Sequence, residues 1–199
     1  MELLKIDIDD STDISNVTLP KQYLEGLKNT FKILIDFLNE NKIEYFIDGG
    51  TLLGCVRERG QIIWDDDIDI GMTPTNFNKF RKLLKEFSKN KFLLKDLPDN
   101  VIQVIDPNNA YIRSTVDGDT GPRYACIDIF LYVLEKKHYV LENKKIRNQY
   151  PNSKYHKNDL FPLKEYDYED LKVTGANNPI TYLNEYYGNW NQRCIHIYK

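Results

Sequence analysis

Residues Phe46–Met72, FIDGGTLLGCVRERGQIIWDDDIDIGM, form the stretch around which the rest of the chain is organised. A short apolar run, Tyr45-Phe46-Ile47, ends in Gly49-Gly50, and Asp65, Asp66, Asp67 and Asp69 follow among Trp64, Ile68 and Ile70. The alternation predicts a strand with Asp67 and Asp69 on one face and Ile68 and Ile70 on the other. Two carboxylates one pleat apart over an apolar face repel each other unless a cation lies between them. Hard divalent ions such as Mg²⁺ or Mn²⁺ take oxygen ligands of this kind. An acidic run on a solvated loop is the competing explanation, but such a loop has no use for interleaved Trp and Ile. Gly49 and Gly50 suit close approach of backbone to a ligand, and Thr51-Leu52-Leu53 reads as the first turn of a helix whose N–H groups face a phosphate. Strand, Gly-Gly, helix and Asp-x-Asp strand together make a layout for metal-assisted phosphoryl chemistry.

The block GGTLLGCVRERGQIIWDDDIDIGM resembles the signature of the LicD family, whose relatives include fukutin and fukutin-related protein. Weaker echoes follow in Cys126-Ile127-Asp128-Ile129-Phe130 and Tyr186-Tyr187-Gly188-Asn189-Trp190. The chain departs from the family pattern at Ile63, where a proline is frequent, and at Glu58-Arg59, where a His-Lys pair is frequent. The resemblance implies a nucleotidyltransferase-like α/β (α+β) fold, a small mixed sheet with flanking helices. It implies Asp67 and Asp69 as the paired metal carboxylates and Asp128 as the third. It also implies transfer of a phospho-alcohol, such as phosphocholine or ribitol phosphate, from a CDP-linked donor to a glycan.

The residues of Ile127-Asp128-Ile129 argue for that third carboxylate on their own. A lone Asp on an interior strand costs several kcal/mol unless it is paired or bound to metal. An Asp facing solvent from an edge strand is the alternative. Arg57, one to two turns past the glycines, reads either as a phosphate ligand or as a salt-bridge partner of Glu58 or Asp66. Arg113 lies mid-strand and is the second candidate for the phosphates.

At 199 residues with a formal net charge of −3, the chain fits one domain over 18–199 behind an acidic tail over 1–17. Interspersed charges exclude a nucleic-acid-binding surface, which needs concentrated Lys and Arg. MELLKIDIDD lacks the basic start and apolar core of a signal peptide, and no apolar run reaches membrane-spanning length, so a cytoplasmic setting is expected. Cys55, Cys126 and Cys194 show no C-x-x-C spacing and read as reduced thiols.

Outward from the central block, Leu24, Leu27, Phe31, Leu34, Ile35 and Leu38 predict a scaffold helix from about 18 to 39, and Ile43–Ile47 a strand. A third helix, after the one that opens at Thr51, is predicted from Thr73 to 87. Strands are predicted at 92–94, 101–105, 111–115 and 124–132, with Pro107-Asn108-Asn109 as a turn. A basic helix is predicted over 136–150, a loop over 152–158, a hairpin from 160–163 and 168–173, and a last helix from Asn177 to Tyr187. Tyr182, Tyr186, Tyr187 and Trp190 read as packing, although an aromatic wall also suits a choline-like cation. His138, His156 and His196 share no ligand spacing.

The functional expectation is an enzyme with its site at the open edge of the sheet. Mg²⁺ or Mn²⁺ sits on Asp67, Asp69 and Asp128, and Gly49, Gly50, Thr51, Arg57 and Arg113 face a nucleotide-linked donor, a CDP-alcohol or an NTP. The acceptor is a glycan or small molecule. A nucleotidylyltransferase that releases pyrophosphate from NTP, or a domain that binds nucleotide or glycan without turnover, are the alternatives.

Overall fold

The computed structural model describes residues 4–7, 18–115 and 118–191. Helix α1 (Lys21–Glu40) buries Tyr23, Leu27, Thr30, Phe31, Leu34, Ile35 and Leu38 along one side, the stripe that its apolar spacing predicts. Strand β2 (Phe46–Ile47) then leads into helix α2 (Gly49–Glu58), which starts two residues earlier than Thr51. Strand β3 (Asp67–Met72) follows, and helix α3 (Pro74–Phe87) buries Phe77, Phe80 and Phe87. Before all of these, within the predicted 1–17 tail, Leu4–Asp7 forms strand β1; the rest of that segment lies outside the described residues.

The sheet is built on two long strands, β5 (Val101–Thr115) and β6 (Gly118–Glu135), with β4 (Leu93–Leu97) beside β5. Its order is β1-β5-β6-β3-β2, and it is mixed: β1 pairs with β5 and β3 with β6 in parallel, whereas β5–β6 and β2–β3 are antiparallel. The predicted turn at Pro107-Asn108-Asn109 is instead an irregularity inside β5, where the pairing with β6 shifts between Asp106 and Ala110. Extra residues accommodated as a bulge bend a strand without ending it. Asn109 is used there: its side-chain amide donates to the Tyr23 carbonyl of α1 at 2.9 Å.

The predicted helix over 136–150 is replaced by a β-turn-and-strand. Lys136 takes the left-handed conformation (φ 55°), and β7 (His138–Leu141) runs back along β6 before the short helix α4 (Lys144–Gln149), capped by the Asn143 side chain. Tyr139-Val140-Leu141 is a short run of strand-favouring residues inside a lysine-rich segment. The predicted loop over 152–158 holds β8 (Lys154–His156), paired with β7, and one turn of helix α5 (Lys157–Leu160). The predicted hairpin exists, shifted along the chain to β9 (Lys164–Tyr168) and β10 (Leu171–Gly175). Helix α6 (Ile180–Tyr187) closes at Gly188, as the sequence predicts.

Candidate active site

The acidic block divides among three environments. Asp67 and Asp69 lie on one side of β3 while Ile68 and Ile70, 1% and 0% exposed, enter the core on the other. Parallel pairing sets Asp69 directly beside Asp128 of β6, and Asp67 beside Cys126. Carboxylate oxygens of Asp67, Asp69 and Asp128 lie within 4.8 Å of one another, close enough to hold a metal ion. The three share the all-oxygen donor set that hard divalent cations prefer. Asp65, Asp66 and Asp67 form a second such group.

Asp66 points elsewhere. Its carboxylate accepts from the Tyr111 hydroxyl at 2.8 Å and from Arg123 at 3.3 Å, with the Arg113 guanidinium at 3.8 Å. Arg113 also donates to the Tyr111 hydroxyl at 3.2 Å. The sequence candidate Arg113 is thus attached to the acidic block through Asp66. Arg57 takes the pairing that the sequence left open: it bridges to Glu58 at 2.8 Å, lies over the Trp64 ring at 5.9 Å and reaches the Trp190 carbonyl at 3.5 Å.

On its other side β3 is only partly paired, because β2 meets Ile70 and Gly71 alone. The Asp69 end is met by the start of α2. Asp48 N–H donates to the Asp69 carbonyl at 3.0 Å, and Asp69 N–H donates to the Thr51 hydroxyl at 2.8 Å. Thr51 therefore spends its side chain on β3. Gly49 is left-handed (φ 51°), and a Cβ there would stand 2.7 Å from Asp69 Oδ2; one on Gly50 would stand 2.4 Å from Asp65 Oδ2. The left-handed backbone requires glycine at Gly49, and at both positions the missing Cβ leaves room for a carboxylate to approach the turn.

The electrostatics follow from crowding. Burial, then the Asp66 charge, pushes the Asp65 carboxyl up to about 7. Burial, then neighbouring carboxylates, holds Asp67 and Asp69 well above the usual carboxylate range. Burial also raises Asp128, opposed by hydrogen bonds to its Oδ1 from Cys126 Sγ (3.2 Å) and Gln103 Nε2 (2.9 Å). A cation on these oxygens would replace the protons that the crowding otherwise recruits.

Sequence reasoning overlooked Asp48. It is 4% exposed, and its carboxylate accepts from the hydroxyls of Tyr132 (2.5 Å) and Tyr155 (2.6 Å), with Ser153 Oγ 2.7 Å from the former. An Asp closing an apolar strand just before Gly-Gly was the available signal. Gln103, opposite Asp128 in β5, was also overlooked. The aromatic residues of α6 do pack: Tyr155, Tyr182 and Tyr186 stack in sequence, with ring centroids 4.2 and 5.5 Å apart. His138 and His156 face each other across β7 and β8, with centroids 5.4 Å apart.

A mixed sheet that presents three converging carboxylates beside a Gly-Gly helix start defines a class of phosphoryl- and nucleotidyl-transfer domains. The "LicD/FKTN/FKRP, nucleotidyltransferase domain" family matches residues 42–178, and the chain belongs to it. An uncharacterized protein of Rickettsia typhi is 35% identical over 160 residues, 80% of this chain and 45% of that protein. Lipopolysaccharide cholinephosphotransferase LicD of Haemophilus influenzae is 49% identical over 67 residues, 34% of this chain and 25% of the relative. Human ribitol 5-phosphate transferase FKRP is 34% identical over 53 residues, 27% of this chain and 11% of the relative. The chain therefore spans less than half the length of these relatives. Among the described residues no helix is long and apolar enough to cross a membrane.

Proposed function

We propose that residues 18–199 form one divalent-metal-dependent transferase domain. It moves a phospho-alcohol, phosphocholine- or ribitol-phosphate-like, from a CDP-linked donor to a glycan hydroxyl. The observation that carries this reading is the convergence of Asp67, Asp69 and Asp128 within 4.8 Å in a chain of the LicD/FKTN/FKRP family. The two named transferases among its relatives support a phospho-alcohol as the group transferred.

Asp67, Asp69 and Asp128 would hold Mg²⁺ or Mn²⁺. Bound there, the ion offsets charge on the donor diphosphate and lowers the cost of in-line displacement. The N–H groups of the Gly49-Gly50-Thr51 turn bind phosphate oxygens, and Arg57 and Arg113 supply positive charge at the margin of the acidic block. The acceptor hydroxyl attacks the distal phosphorus of the CDP-alcohol, a new P–O bond forms, and the P–O bond to CMP breaks. Asp128 takes the hydroxyl proton as general base, with Gln103 and Cys126 fixing its orientation through Oδ1.

Attack at the α-phosphate of an NTP would need the same charge neutralisation, so the products decide. Incubation with Mn²⁺ and CDP-choline, CDP-ribitol or CTP, followed by chromatography, is expected to give CMP and the phospho-alcohol, with water standing in for the acceptor. That release should require metal and vanish in Asp128→Ala. Pyrophosphate from CTP, with no metal-dependent CMP from any CDP-alcohol, would instead establish a nucleotidylyltransferase.

A further inference from the structure

Asp48 occupies the N-cap position of α2, where an Asp side chain ordinarily accepts from the N–H of the second or third helical residue. Here it makes no such bond. Its backbone carbonyl accepts the first intrahelical bond, from Leu52 N–H at 3.0 Å, across the left-handed Gly49 (φ 51°). The carboxylate is turned away into the core, where Tyr132 and Tyr155 donate to its two oxygens separately. Tyr132 lies four residues beyond Asp128 on β6, and Tyr155 on β8; both are buried to within 1%. Burying a carboxylate against two hydroxyls is costly compared with letting it cap the adjacent helix. The result of the arrangement is a ten-residue helix whose first-turn N–H groups lack the cap that stands next to them.

We propose that Asp48 is a positioning residue: Tyr132 and Tyr155 hold its carboxylate off α2, and so keep the Gly50 and Thr51 N–H groups open to the donor's diphosphate. The ligand class rests on the function proposed above, and the latch itself rests on the hydrogen bonds of Asp48. Two consequences separate this from a merely structural role. Freed from both tyrosines, the carboxylate swings to the nearest donors and caps the helix, competing with phosphate for the same N–H groups. Removing the carboxylate as well then reopens the turn.

The test uses Tyr132→Phe/Tyr155→Phe, and the same double variant carrying Asp48→Ala. Amide exchange at Gly50 and Thr51 is followed by mass spectrometry or NMR, and binding of inorganic pyrophosphate with Mn²⁺ by calorimetry. In the double variant exchange at the two amides should slow, and pyrophosphate should bind about tenfold more weakly, the scale of losing a hydrogen bond to a charged group. Asp48→Ala in that background should restore fast exchange and most of the affinity. Should the double variant fail to fold, Tyr155→Phe alone, with and without Asp48→Ala, gives the same comparison on a smaller scale. Unchanged exchange and affinity in a folded variant, or no rescue by Asp48→Ala, overturns the proposal. Slowed exchange and rescue in a protein that turns over no CDP-alcohol would uphold the latch while refuting the proposed function.

Discussion

Stripping divalent cations should make this protein less stable as the pH rises, against the usual behaviour of carboxylate-rich proteins in acid. The cause is the crowding around β3. The Asp65 carboxyl is pushed up to about 7 from its ordinary 3.8, and Asp67, Asp69 and Asp128 are raised beside it. A carboxyl whose folded value exceeds its unfolded value binds more protons in the folded state. Its contribution is fully present below the unfolded value and is lost as pH rises through the folded one, here across roughly pH 4 to 7. For Asp65 alone the difference, 7 − 3.8, is about 3 units, or an upper bound of about 4 kcal/mol. Residual solvent contact of the half-buried side chain reduces the expected net loss to about 1–2 kcal/mol. At this chain length that corresponds to a fall in Tm of about 2–8 °C between about pH 5 and pH 8.

Thermal unfolding in EDTA across that range, by circular dichroism, measures the fall directly. Mn²⁺ should raise Tm more at the alkaline end than at the acidic end, because there it neutralises charge that protons no longer cover. Asp69→Asn should flatten the metal-free profile and remove the Mn²⁺ response. A metal-free Tm that is level or rising with pH would show that the three carboxylates are not crowded as the geometry has them.

Gly49→Ala forces a side chain onto a left-handed residue 2.7 Å from Asp69 Oδ2, so it should cost about 1–3 kcal/mol in urea denaturation and weaken Mn²⁺ binding in the same protein. Gly71→Ala places a Cβ 2.2 Å from the buried Phe46 ring, on the face of β3 that also carries Asp67 and Asp69, and should lower the urea midpoint by a similar amount. Replacing Cys55, Cys126 and Cys194 by Ser should preserve turnover, with Cys126→Ser still able to donate to Asp128. Burial pushes the Cys55 thiol up to about 12, so it should react with a thiol reagent at mildly alkaline pH only on unfolding.

The carboxylates of the candidate site that strand alternation alone places were legible in the sequence. Asp67 with Asp69, and Asp128 between two isoleucines, follow from the two-residue period of a strand and need no knowledge of neighbours. What crosses the fold was not legible. Asp48 meets tyrosines 84 and 107 residues away, and no local pattern announces a carboxylate that declines to cap its own helix. The bulge at Pro107-Asn108-Asn109 has turn composition, and only pairing with β6 on both sides distinguishes it from a turn. The β7 strand was hidden by lysines, which suit a helix as well as an exposed strand face. Arg57 could be placed on its helix from the sequence, but not assigned between Glu58 and a phosphate.

The convergence of carboxylates depends on one register. Parallel neighbours about 4.8 Å apart carry same-face residues side by side, so Asp69 meets Asp128 only while Ile68 is beside Ile127 and Ile70 beside Ile129. A slip of one residue would turn Asp128 into the core and bring an isoleucine to the site. Nothing in the acidic face resists that slip, since like charges favour separation there. The resistance comes from the other face, where Ile68, Ile70, Ile127 and Ile129 are all at most 1% exposed. Each contributes about 1.5–3 kcal/mol by burial, which together outweighs the repulsion between the carboxylates. The apolar half of the motif therefore holds the acidic half in an arrangement that it would not adopt alone. That explains why the isoleucines, which touch no ligand, are as much a part of the site as the aspartates they alternate with.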